Sequence, residues 1–193
     1  MKIRITFKEE VLGTTAGEKE VFQKFIASKG PNAKTTEEEI EAYGEEEVVN
    51  KGMTLFPKLE SGNPFFWDYQ IKGFFKDSCS ALKRCPDFNS SELKAHNKII
   101  DGCIFVSPRK IEITLAGEMG VCERPLRAQT AKGERISLAC SQTIPAGSAI
   151  EFEVRCLNKG HEKFVREWLG YGEFRGMGAW RNSGKGSFSF EEI

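Results

Sequence analysis

The chain has 193 residues, 39% hydrophobic and 29% charged, with 28 basic side chains balancing 28 acidic ones. That length suits one domain, or one domain with an insertion, around a sizeable core. Zero net charge excludes the broad basic field of a tight nonspecific duplex binder, so any nucleic acid must be held by a local patch.

No apolar run reaches the ~18 residues of a transmembrane helix, and the first residues alternate like a strand rather than forming a signal-peptide core. The expectation is a cytoplasmic protein with no membrane partner. Cysteines 79, 85, 103, 122, 140 and 156 include no C-x-x-C pair, which points to reduced thiols rather than a zinc site or disulfide framework. Residues 1–66 carry 9 basic against 12 acidic side chains and the remainder 19 against 16. The acidic excess sits in Glu37, Glu38, Glu39, Glu41, Glu45, Glu46 and Glu47, the pattern of a solvated helix face.

Along the chain, Ile3, Ile5 and Phe7 alternate with Lys2, Arg4, Thr6 and Lys8 and predict a half-buried strand. Val21, Phe22, Phe25 and Ile26 predict a helix over 18–29 stopped by Gly30-Pro31, and Thr36 with Glu39 caps an acidic helix. These two helices read as an insertion at about 10–66. Residues 61–69 read as an aromatic loop, followed by a helix with Phe75, Cys79 and Leu82 on one face and a short helix over Ser91 to Ile99. Strands follow at 103–106, 109–115, 122–129, 135–141 and, with the clearest alternation, 149–156. A helix at about 160–169 buries Phe164, Val165, Trp168 and Leu169, and a glycine-rich tail closes on Phe188 and Phe190.

Without insertions the order is strand, helix, strand, strand, helix, strand. The expected fold is α+β, a ferredoxin-like or RRM-like antiparallel sheet with helices on one face, a helical insertion and a C-terminal Gly-rich loop within a single domain, 1–193.

The tail places glycines at 170, 172, 176, 178, 184 and 186 beside Arg175, Arg181 and Lys185. Successive amides in such turns can converge on an anion, with the cations adding charge and donors, although a plain glycine hairpin fits the same residues. Trp180 is expected mainly in the core. Trp67 and Tyr69 could stack on bases, or simply pack.

Three segments resemble the RAMP superfamily, the RNA-binding subunits of CRISPR effector complexes. Tyr69-Gln-Ile-Lys-Gly-Phe-Phe-Lys-Asp-Ser-Cys-Ser-Ala-Leu-Lys-Arg84 resembles its helix-start signature, and Ile144-Pro-Ala-Gly147 its lead into the third core strand. Trp180-Arg-Asn-Ser-Gly-Lys-Gly-Ser-Phe188 resembles its closing "G-G-x-R-x-x-G-x-G-x-F" loop. The whole chain also resembles a stand-alone family encoded by bacteriophages of Gram-positive bacteria. Residues 10–66 have no counterpart, and Phe74 and Phe75 replace the superfamily's paired serines.

The resemblance implies RNA held through phosphates and shape at the helix start, with Lys72, Gly73 and Lys76, and at the loop, with Arg175, Gly176, Gly178, Arg181, Gly184 and Lys185. Arg109, Arg124 and Arg127, expected near turns of the middle strands, would extend the patch or simply pair with surface glutamates. It further implies single-stranded RNA or a ribonucleoprotein as partner, head-to-tail stacking into a homo-oligomer, and a role in phage defence or counter-defence.

No Walker motif, nucleophile elbow or metal-ligand spacing is visible, so no cofactor, metal or catalytic residue is expected. His96 and His161 are the two histidines a repeat-processing endoribonuclease could use, and residues 9–36 lack the aspartate that superfamily RNA cleavage employs. The expectation is a non-catalytic binder. A protein-interaction inhibitor or a protein sequestering a small nucleotide is the alternative, and the endoribonuclease a second.

Overall fold

The computed structural model describes residues 1–16, 53–130 and 133–193, so both helices expected in the insertion lie outside the described residues. Strand β1 (Lys2–Phe7) follows its alternation, with Ile3, Ile5 and Phe7 buried and Lys2 and Arg4 exposed. Its antiparallel neighbours are β11 (Phe188–Glu192) and β10 (Ala149–Cys156). Beyond β10 lie β6 (Ile104–Ser107) and β7 (Lys110–Thr114), and β7 pairs with an edge strand, β5 (Phe65–Trp67). The order β11-β1-β10-β7 with two helical crossovers is the ferredoxin-like plan.

Two helices cover one face of this sheet. Helix α1 (Asp68–Leu82) buries Ile71, Phe74, Phe75, Ser78, Cys79 and Leu82, and α3 (Glu162–Arg175) buries Phe164, Val165, Trp168, Leu169 and Gly172. Each set recurs at three- and four-residue intervals, the stripe that a helix turns toward a core. Phe75 packs on Trp168 with ring centroids 5.5 Å apart, and Phe188 meets Phe7 and Phe74 edge-on at 6.1 and 5.2 Å.

The expected short helix over 91–99 divides into a 3-10 turn, Asn89–Glu92, and helix α2 (His96–Cys103). Ala95, at a φ of +51°, separates the two, and a polar cluster holds the first. Glu167 accepts hydrogen bonds from the backbone and side chain of both Asn89 and Ser90, while Trp168 Nε1 donates to Ser90 Oγ at 2.9 Å. Burial pushes the Glu167 carboxyl up, but the bonds from Ser90 and Asn89 outweigh it and hold the group below the usual glutamate value.

A separate compact unit comprises residues 12–56 and 119–143, the first unit being 1–11, 57–118 and 144–193. Its main feature is a hairpin of β8 (Gly120–Thr130) and β9 (Gly133–Ile144), in unbroken register from Gly120↔Thr143 to Thr130↔Gly133. β4 (Thr54–Leu55) joins β9 in parallel at Thr54↔Ser141 and pairs on its other side with β3 (Thr15–Ala16), while β2 (Val11–Leu12) also borders β9. Among the described residues no helix is long and apolar enough to cross a membrane.

Candidate nucleic-acid interface

Helix α3 runs further than its sequence pattern suggests, through Gly170 and Gly172 to Arg175. Position 172 of the helix takes glycine because the Phe188 ring occupies the place of a side chain: a Cβ there would lie 2.0 Å from Phe188 Cζ. The loop therefore begins at Gly176, whose φ of +71° ends the helix while its N–H bonds back to the Gly172 carbonyl.

The loop closes on itself where Met177 N–H donates to the Gly186 carbonyl at 2.9 Å. A Cβ on Gly186 would stand 1.8 Å from Met177 O, and one on Gly176 would stand 2.5 Å from the Gly186 carbonyl carbon. At this crossing the backbones meet too closely for any side chain. Between these ends, Trp180 and Gly184 both take left-handed conformations around a 3-10 turn, Arg181–Ser183.

Arg175 at the end of α3 and the loop cations Arg181 and Lys185 are all in ion pairs. Arg175 Nε and Arg181 Nη1 lie 3.0 and 2.8 Å from the same oxygen, Oδ2 of Asp77 on α1, and Arg175 Nη1 also reaches Asn182 Oδ1. Lys185 Nζ pairs with Glu10, whose carbonyl accepts the Gly186 N–H. The arginine side chains remain 30% and 29% exposed. Two guanidiniums on one carboxylate leave one net positive charge at the loop base. Asp77 and Glu10 were not expected in the site; the only signal for Asp77 is its place as the lone acid between Lys72 and Lys83.

Trp180, expected in the core, is 42% exposed. Its φ of +56° is unusual for a bulky residue.

The helix-start residues are arranged differently from expectation. α1 opens at Asp68, so Lys72 and Gly73 lie in its second turn, where their amides are already bonded within the helix. At the true start, Trp67 N–H donates to Gln70 Oε1, Asp68 N–H to the Arg109 carbonyl and Tyr69 N–H to Asp68 Oδ1. These amides are thus already satisfied by the chain itself. Lys76 pairs with Asp101 of α2 at 2.7 Å, and Lys72 lies over the Phe105 ring at 5.0 Å while reaching the Asp101 carbonyl. Arg124 and Arg127 lie within β8, in register with Ala139 and Ile136, rather than near turns; the Arg127 side chain is outside the described residues.

The expected aromatic loop is in fact β5 and the first turn of α1. Trp67 and Tyr69 stack there, with centroids 5.9 Å apart and planes 15° from parallel. Arg109 lies 5.6 Å over Trp67, and Lys110 lies 5.6 Å over Phe65 and 5.9 Å over Trp67.

The two histidines occupy different settings. His96 Nε2 is 3.0 Å from Ser80 Oγ, and burial, with Lys83 and Lys76 nearby, lowers its pKa. His161 packs against Phe164 at 6.0 Å. Among the described residues no group of three or more His, Cys, Asp or Glu side chains is placed to hold a metal.

No family model matches the chain, and no curated protein matches it in sequence. Solved structures do match in fold. A chain in the cryo-EM structure of the Type III-B Cmr-beta bound to cognate target RNA aligns with all of this chain at a TM-score of 0.56 and 12% identity. This chain spans 58% of the length of that one. A chain of a Type IV-B CRISPR complex aligns over 98% of this chain and 88% of its own length, with a TM-score of 0.51 and 10% identity. The chain shares the fold of these CRISPR-complex chains, and it is α+β as its sequence predicts.

Proposed function

We propose that this RAMP-like chain binds single-stranded RNA, alone or within a ribonucleoprotein, without cutting it, and that Arg175, Arg181 and Lys185 of the glycine-loop region take its phosphates. The observation that favours this is the sharing of Asp77 by two half-buried arginines. Planar guanidiniums with donors left over suit a phosphate oxygen, and the glycine crossing fixes where they stand. The likeness in fold to a chain from a complex bound to target RNA adds to the reading. On this reading residues 1–193 act as one binding domain interrupted at about 10–66, and copies stacked head to tail along a strand would bind it cooperatively.

Purified protein is expected to carry nucleic-acid absorbance at 260 nm, with intact RNA recovered after extraction. Arg175→Ala, Arg181→Ala and Lys185→Ala together should weaken binding and flatten its salt dependence by about 0.7 in log–log slope for each phosphate no longer held. Equal binding by wild type and the triple variant would remove the loop from the site. Recovery of only a small nucleotide would support sequestration instead. A defined cleavage product abolished by His96→Ala or His161→Ala would make the protein a nuclease. Sequencing the RNA recovered from a bacterial host would test the defence or counter-defence role, which guide RNA among the bound species would support.

A further inference from the structure

Resting on the single-strand reading above, we propose that Trp67 and Tyr69 form a nucleobase-stacking platform at the β5 edge of the sheet, with Arg109 and Lys110 beside it for the adjoining phosphates. The face of the sheet away from the helices is the obvious alternative, and its central strands are unsuited to stacking. In register, the residues pointing away from the helices are Lys2, Arg4 and Thr6 on β1 and Ala149, Glu151, Glu153 and Arg155 on β10. Arg4 already pairs with Glu151 at 3.6 Å and Glu191 at 4.0 Å. This centre offers carboxylates and ion pairs where a base would need a ring.

Aromatic side chains on that face instead gather toward the far edge. Phe105 pairs in register with Arg155, Phe65 with Glu112 and Trp67 with Lys110. Trp67 is held by the β5–β7 ladder and by its N–H bond to Gln70, and the buried Phe65 ring supports it edge-on at 4.9 Å. Tyr69, 56% exposed, lies nearly parallel to it. Tyr69 stacks on Trp67, over whose ring Arg109 also lies, so a base on the exposed Tyr69 ring would extend a stack already ordered before binding. The nearby carboxylates are engaged: Asp68 accepts from the Tyr69 N–H, and Glu112 from the Asn63 side chain. Since every base presents a π-face, this subsite tolerates any sequence.

The test uses two probes, fluorescein-labelled dodecauridylate and an abasic dodecamer with the same phosphates. Wild type should prefer the first. Tyr69→Ala should weaken dodecauridylate binding about five- to 150-fold, the range for losing one stacked base. It should leave abasic binding and the salt slope unchanged, while Tyr69→Phe retains wild-type affinity. Equal affinity of wild type for the two probes, or a Tyr69→Ala variant that binds dodecauridylate normally or loses both probes alike, overturns the platform but not RNA binding. Binding of neither probe by wild type overturns the single-strand reading and the platform with it.

Discussion

Replacing Asp77 by asparagine separates two roles for the loop arginines. The carboxylate is 35% exposed and each arginine about as much, so each pair is worth about 0.2–1 kcal/mol after screening, far below its unscreened Coulomb energy. Asp77→Asn keeps the shape and an acceptor while removing both attractions, so it should cost about 1 kcal/mol of stability and lower the melting midpoint by roughly 2–4 °C. Binding should move the other way. In the wild type an incoming phosphate competes with Asp77, and relieving ~1 kcal/mol of competition corresponds to about five-fold tighter RNA binding. The local charge rises by one, and the log–log salt slope should steepen by up to ~0.7. Fluorescence anisotropy with dodecauridylate across 50–300 mM salt, paired with thermal melts, reads both quantities. If Asp77→Asn binds more weakly at unchanged slope, the carboxylate positions the arginines for RNA instead of competing with it, and the competition account is refuted.

Gly186→Ala should cost at least ~2 kcal/mol more than Gly184→Ala in urea unfolding. Both sites have positive φ, but a Cβ at 186 strikes Met177 O at 1.8 Å, whereas nothing lies within 4 Å of one at 184; equal costs would show that conformation alone explains the crossing glycine. Gly172→Ala should cost ~1–3 kcal/mol by forcing the Phe188 ring off its contacts with Phe7 and Phe74, and a neutral result would mean that ring has room to move. Glu167→Gln should cost ~1.5–3 kcal/mol at pH 7. Because the folded pKa lies below the unfolded one, this stability is present above ~4.3 and is lost as pH falls through the folded value, so wild type and variant should converge in acid. A gap unchanged from pH 7 to pH 3 would show that the charge on Glu167 does not contribute.

The sheet was legible because its strands alternate: Ile3, Ile5 and Phe7 on β1 and Ile150, Phe152 and Val154 on β10 mark the core face with a period of two. The glycine tail was legible as a turn, but where it began was not. Gly170 and Gly172 resemble loop glycines in sequence, and only the Phe188 ring resting against Gly172 shows that this glycine serves packing inside a helix rather than a turn. The aromatic stretch at 65–69 has no alternation to reveal a three-residue edge strand, whose identity depends on pairing with β7 more than 40 residues away. Long-range partners account for the other differences too. Asp77 lies 98 residues from Arg175, and no local pattern announces that Arg175 and Arg181 share a carboxylate on α1.

That pairing links folding to the proposed binding. Arg175, Arg181 and Lys185 tie the loop to α1 and to the turn after β1, so the charges that would meet RNA also hold the unliganded loop in place. A loop whose cations lacked acidic partners would give stronger phosphate attraction, but its positive charges would repel one another and leave a nine-residue segment to be ordered on binding. Pairing two arginines with one carboxylate is intermediate. The loop is ordered beforehand, one net charge remains, and each guanidinium keeps donors beyond those directed at Asp77. The Trp67–Tyr69 stack follows the same logic with different chemistry, since its rings are aligned by backbone pairing and helix capping before any base arrives. Phosphate contacts at the loop would then set the salt dependence, and base stacking at the sheet edge would set the preference for single strands.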